Sequence, residues 1–110
     1  MNRSAAHSKL VNECLVALSR AGVLAWKNHT GAGRSFAGNV MRFGLKGSAD
    51  ILAVIPPAGR FAAIECKTGE GKQASQQQKF EKAVLLRGGL YLVARSVADA
   101  LSLVEREKSR

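Results

Sequence analysis

Residues 49–67 read Ala49-Asp50-Ile51-Leu52-Ala53-Val54-Ile55-Pro56-Pro57-Ala58-Gly59-Arg60-Phe61-Ala62-Ala63-Ile64-Glu65-Cys66-Lys67. Two short apolar runs flank a turn built on Pro56-Pro57 and Gly59, which is the pattern of an antiparallel hairpin. The first run predicts a strand from Ser48 to Ile55, the second a strand from Phe61 to Lys67. Strand periodicity puts Phe61, Ala63, Glu65 and Lys67 on one face and Ala62, Ile64 and Cys66 on the other. Asp50 interrupts the first run, and Glu65 with Lys67 closes the second. An acid in such apolar company costs desolvation energy unless something positive holds it.

Two carboxylates converging across a hairpin form a hard-oxygen site suited to Mg²⁺ or Mn²⁺. The Cys66 backbone carbonyl is a candidate further ligand, although its side chain points away. Lys67 can orient a water and offset charge on a phosphate. Metal polarisation plus a cation on the developing oxyanion is the division of labour that phosphodiester hydrolysis requires. The spacing D-x14-E-x-K is equally compatible with a surface Glu65–Lys67 pair and an Asp50 turn cap, so spacing alone does not decide.

Working outward, residues 5–21 predict an amphipathic helix, with Leu10, Val11, Cys14, Leu15 and Leu18 on one stripe and Gly22 as its stop. Val23 to Thr30 alternates as a strand. Gly31, Gly33, Gly38, Gly44 and Gly47 then favour a long loop or a loose hairpin, and a connection of that length is usually functional. Beyond Lys67, a polar loop with Gly69 and Gly71 leads to a helix from Ser75 to about Arg87, ended by Gly88-Gly89. Leu90 to Arg95 reads as a strand, and Ser96 with Asp99 as the start of a last helix. The expected order is α-β-β-β-α-β-α. The chain of 110 residues has room for a single domain spanning 1–110.

Charge points to the partner. Lys and Arg total 17 against 8 acids, a net charge of +9, and no acid falls between Glu13 and Asp50. Arg20, Lys27, Arg34, Arg42 and Lys46 all lie in that stretch, and such a field attracts polyanions, nucleic acid first. Solubility charge is the plainer alternative. Arg34, Arg42, Lys46 and Lys72 are the candidate DNA contacts. The glycine-rich segments around Arg34 and Lys72 do not fit G-x-x-x-x-G-K-[ST], which argues against nucleotide hydrolysis. No apolar run is long enough to span a bilayer and no secretory leader is evident, so a cytoplasmic protein of a bacterial or phage-infected cell is expected. Cys14 and Cys66 make no metal pattern and are expected as buried free thiols.

The stretch from Trp26 to Val104 resembles the VRR-NUC family of the PD-(D/E)xK nuclease superfamily, particularly small stand-alone phage-type members. The matching segments are Trp26-Lys27-Asn28, Arg42 to Asp50, Gly59-Arg60-Phe61, Ile64-Glu65-Cys66-Lys67, Ser75-Gln76-Gln77-Gln78 and Tyr91-Leu92-Val93. The resemblance implies a restriction-endonuclease-like α/β fold with a mixed central sheet flanked by helices. It implies Asp50 and Glu65 as metal ligands, Lys67 as the catalytic lysine, and Gln78 as the glutamine of the family's last motif. Ala49 stands where the superfamily name has proline, and Cys66 where valine or a similar residue is usual.

Other residues carry weaker signals. Ser75 and Gln78 fit a capping box that would occupy Gln78 at the helix start. Glu13 is a candidate extra metal ligand, because the superfamily often supplies an acid from its first helix; a solvated stripe with Lys9 and Arg20 is the simpler account. His29 reads as a strand-end polar residue, and Trp26 and Tyr91 as core residues. The expectation is a Mg²⁺- or Mn²⁺-dependent DNA endonuclease acting on branched or duplex DNA, similar to a Holliday-junction resolvase and working as a homodimer. The alternatives are a non-catalytic basic DNA-binding module and a basic structural protein of a phage particle.

Overall fold

The computed structural model describes residues 3–29 and 31–110, with the side chains of residues 3, 4, 31–33, 42 and 43 outside that description. The elements are α1 (Arg3–Arg20), β1 (Leu24–Lys27), β2 (Gly31–Arg34), β3 (Val40–Phe43), β4 (Ile51–Ile55), β5 (Arg60–Cys66), α2 (Ser75–Leu86), β6 (Leu90–Ala94) and α3 (Val97–Lys108). Four strands form a mixed sheet in the order β1-β4-β5-β6. The β1–β4 and β4–β5 pairs are antiparallel, and β5–β6 is parallel, as a strand–helix–strand crossover through α2 requires.

The helices divide between the two faces according to the strand period. Ile51, Ala53 and Ile55 of β4 and Ala62, Ile64 and Cys66 of β5 bury one face against Val11, Cys14 and Leu18 of α1 and Leu103 and Val104 of α3. Ala49 and Ala63 meet Val84 of α2 on the other, with Phe80 and Tyr91 packed alongside. The central strand β5 is therefore covered on both sides, and any polar group on it is forced out of water.

The helix ends are set by local chemistry. Gly22 adopts φ +88° after α1. There the Val23 N–H reaches the Leu18 carbonyl at 3.0 Å and the Gly22 N–H the Ser19 carbonyl at 3.1 Å, a Schellman closure. Gly88 and Gly89 close α2 in the same way. A Cβ on Gly89 would lie 2.7 Å from Val84 Cγ1, so the second glycine is needed for packing as well as for the turn.

Three expectations need correction. The 31–47 segment, expected as a long loop or a loose hairpin, is a hairpin of β2 with β3, so the expected order gains two strands and becomes α-β-β-β-β-β-α-β-α. Asp50 precedes β4, because its side chain turns to bond β5. Trp26 is 43 % exposed and belongs to neither core cluster, because β1 is an edge strand; Tyr91 packs edge-on against Phe80 as expected. Among the described residues, no helix is long and apolar enough to cross a membrane.

Candidate active site

The hairpin β4–β5 brings its acids together. Asp50 Oδ2 accepts the Cys66 backbone N–H at 2.8 Å, which fixes that carboxylate beside Glu65. Just past β1, the Asn28 N–H donates to the Asp50 carbonyl at 2.8 Å. The Asn28 side-chain amide donates to Ser48 Oγ at 2.7 Å and to the Ala49 carbonyl at 2.9 Å. Asn28 thereby holds the approach to Asp50 in one conformation. A Cβ on Gly47, whose φ is +84°, would fall 2.7 Å from the Gln76 carbonyl oxygen, so this approach also rests closely on the start of α2.

A third group comes from α1. His7 Nε2 lies 3.2 Å from Asp50 Oδ2. One ligand atom from each of His7, Asp50 and Glu65 lies within 4.8 Å of the others. Ligands about 2.1 Å from a small divalent ion sit about 3 Å apart when adjacent, close to the 3.2 Å between His7 Nε2 and Asp50 Oδ2. Glu65 is 3 % exposed and its Oε2 has no hydrogen-bond partner among the described residues. A buried carboxylate oxygen left without a hydrogen-bond partner calls for one, and the donor set of two carboxylates and one imidazole suits a divalent cation.

The electrostatics agree. Burial, the hydrogen bond shared with Asp50 and the Asp50 charge push the Glu65 carboxyl up to about 9, against a smaller opposing pull from Lys67. For Asp50, burial works upward, yet the hydrogen bonds from Glu65 and the Cys66 N–H, together with His7, hold it below its ordinary value. Two buried carboxylates in contact thus favour sharing a proton, with Glu65 the harder of the two to ionise.

Lys67 follows Glu65 by two residues and lines an open cleft with His7, Cys66, Gly71 and Lys72. The cleft wall is braced by Arg95, whose guanidinium donates to the Gly69 carbonyl at 3.0 Å and the Gly71 carbonyl at 2.7 Å.

The structure thus brings Asp50, Glu65 and Lys67 together, with the Cys66 backbone among them. Glu13 stands apart from the cluster and pairs with Lys9 at 3.8 Å, half exposed. Gln78 is exposed and does not cap: Gln77 Oε1 accepts the Ala74 N–H at 2.9 Å, so the capping box is one residue earlier than the sequence suggests. Lys72 lines the cleft, Arg34 lies on β2 and Lys46 is exposed between β3 and β4; the Arg42 side chain lies outside the described residues. His29 is exposed and away from the cluster. Cys14 and Cys66 are free, buried and in contact, and the contact with Cys14 together with burial pushes the Cys66 thiol up.

Sequence reading missed His7. The signal was there: His7, Val11, Cys14 and Leu18 follow one another at helical spacing, so His7 continues the buried stripe to the sheet end where Asp50 sits. Glu13 lies off that stripe.

A mixed four-stranded sheet with helices on both faces is a restriction-endonuclease-like fold. Within that class the chain has the VRR-NUC fold. A solved structure described as "VRR_NUC domain" is similar over 91 % of this chain and 95 % of its own, with a TM-score of 0.64 and 20 % sequence identity. No family model matches the sequence, and no curated protein does.

Proposed function

We propose that the protein is a metal-dependent endonuclease that hydrolyses DNA phosphodiester bonds, with a preference for branched DNA. The observation that carries this reading is Glu65, buried beside Asp50 and His7 with an unpartnered oxygen, and followed by Lys67 on the same strand face. A structural acid at such a place would be expected to have a cation of its own.

His7, Asp50 and Glu65 would hold one divalent ion, with the Cys66 carbonyl as a further oxygen donor. Bound there, Mg²⁺ or Mn²⁺ supplies phosphate polarisation and a more acidic water. The imidazole favours Mn²⁺ more than an all-oxygen site would. Lys67 orients the attacking water and offsets charge on the phosphoryl oxygens. Lys72 and the Arg95-braced loop bind the neighbouring backbone, and Gln78, free of the helix cap, is available to the same substrate. One site per chain cuts one strand, so paired incisions call for a C2 dimer.

The test is incubation of purified protein with four-way-junction, flap and linear DNA in Mg²⁺, Mn²⁺ or EDTA. Cleavage is expected with either metal and not with EDTA. Glu65→Gln and Lys67→Ala are each expected to lower the rate by about 10³-fold, the scale of losing transition-state charge stabilisation. DNA binding without metal-dependent cleavage on any substrate would leave a non-catalytic DNA-binding module.

A further inference from the structure

The β2–β3 hairpin has no part in the chemistry above, yet its base is fastened to the candidate site. It is inserted between Asn28 and Asp50, the two residues joined by the 2.8 Å backbone bond, and forms a two-stranded sheet of its own from Gly31↔Phe43 to Arg34↔Val40.

Its tip is built rather than loose. The Ser35 N–H donates to the Asn39 carbonyl at 2.8 Å, and the Gly38 N–H to the Ser35 carbonyl at 2.9 Å. The Asn39 N–H donates to Ser35 Oγ at 3.2 Å, Arg34 Nη1 reaches the Gly38 carbonyl at 2.9 Å, and Gly38 takes φ +84°. This ordered turn carries Phe36 fully into solvent, and Val40 and Met41 on β3 are more than half exposed. The hairpin therefore spends hydrogen bonds on presenting a phenyl ring that buries nothing.

Charge identifies the occupant. The hairpin lies in the acid-free stretch between Glu13 and Asp50, and the chain carries +9. Two such surfaces repel each other, whereas a nucleic acid offers both the negative backbone and the apolar base faces this arm lacks. A two-stranded ribbon also has the width that a DNA major groove admits, and Phe is among the apolar side chains that wedge between bases.

We propose that the β2–β3 hairpin is a DNA-engaging arm whose Phe36 stacks on a base unpaired or unstacked at a branch point. The inference rests on the nuclease reading and gives its substrate class: DNA presenting an accessible base face beside the scissile strand. The arm lies in the chain between Asn28 and Asp50, whose backbones are joined by a hydrogen bond, so DNA engaged by the arm approaches the chain beside the candidate site.

The experiment uses four-way-junction DNA with 2-aminopurine at the branch, titrated in EDTA with the full chain and with Phe36→Ala and Phe36→Tyr. Cleavage in Mn²⁺ and oligomeric state are measured in parallel. Wild type is expected to change the 2-aminopurine fluorescence on binding. Phe36→Ala is expected to lose that change and bind the junction about tenfold more weakly, within the range of one base–aromatic stack. Phe36→Tyr is expected to retain both. Unaltered junction affinity and fluorescence in Phe36→Ala, with cleavage by wild type intact, would overturn the arm and leave the nuclease standing. Absence of cleavage by wild type, with the fluorescence change still dependent on Phe36, would remove the nuclease and keep the arm. Conversion of a wild-type dimer to a monomer by Phe36→Ala, with the fluorescence change retained, would assign the tip to a second copy and overturn the proposal.

Discussion

At the Arg60 end of β5, the Glu107 carboxylate from α3 receives Arg60 Nη1 at 3.1 Å and has Arg110 Nη1 at 3.7 Å. Arg60 is itself fixed by a bond from Nε to the Gly88 carbonyl at 2.9 Å. At the other end, Glu65 is buried to nearly the same degree, 3 % exposed against 4 %, yet among the described residues its Oε2 has no hydrogen-bond partner, and the acid Asp50 acts on it more strongly than Lys67 does. Depth of burial therefore does not distinguish the two glutamates; the company each keeps does. A carboxylate surrounded by guanidinium donors closes the fold, while one paired with a carboxylate and an imidazole is set up for an ion that must come and go.

The sharpest way to test that contrast is to remove the satisfied glutamate. Glu107→Ala leaves Arg60 facing a buried space without its acid, and loss of one partner of a buried pair costs about 3–5 kcal/mol. Part of the Arg60 side chain reaches solvent, so the lower figure is expected, about 3 kcal/mol, read as a fall in urea midpoint with an unchanged slope. Cleavage per folded molecule should stay close to wild type. An unchanged midpoint would show that the Arg60 end is not held by charge, and the comparison would lose one arm.

The Glu65 end predicts the opposite sign. The folded carboxyl, at about 9, lies above its unfolded value of 4.5, so the native state keeps a proton that the unfolded chain releases. Stability from this group is fully present below the unfolded value and declines as pH rises towards about 9. Asp50, held low, works the other way and contributes above its own unfolded value. Metal-free Glu65→Gln is thus expected to melt higher than wild type at pH 8, with a shallower decline between pH 5 and 9. Saturating Mn²⁺ should raise the wild-type melting temperature by roughly 5 °C or more, as ligand linkage of about 1–3 kcal/mol implies for a chain of this size. The same addition should move Glu65→Gln far less. A lower melting temperature for metal-free Glu65→Gln would mean that Glu65, like Glu107, is structural.

Much of this is legible in the sequence, and the reasons differ by residue. Asp50, Glu65 and Lys67 were readable because strand period and an apolar setting are local properties, and the two covered faces of β5 bear that period out. The 31–47 hairpin was only one of two readings, since five glycines remove the side-chain alternation that marks a strand. His7 was passed over because its meaning depends on which sheet end α1 reaches, a tertiary fact, although its place on the Val11–Cys14–Leu18 stripe pointed there. Glu107 was invisible for the same reason: Arg60 is 47 residues away in sequence.

The smallest expected effect carries the contrast down to two adjacent glutamines on α2. Gln77 closes the helix start by accepting the Ala74 N–H at 2.9 Å, a donor that would otherwise be left without a helical partner. Gln78 makes no side-chain hydrogen bond among the described residues and is exposed. Removing this one-sided cap, in which the Ala74 side chain accepts nothing in return, costs about 0.5–1 kcal/mol, whereas truncating an exposed helix residue to alanine costs little or is slightly favourable. Gln77→Ala should therefore lower stability by a few degrees and leave cleavage per folded molecule intact, while Gln78→Ala should leave the melt unchanged and slow cleavage. Chemical denaturation and a junction-cleavage time course on both variants separate the roles. The pattern fails if Gln78→Ala destabilises and Gln77→Ala does not, because the cap would then lie where the sequence first suggested and Gln78 would not be free for the substrate.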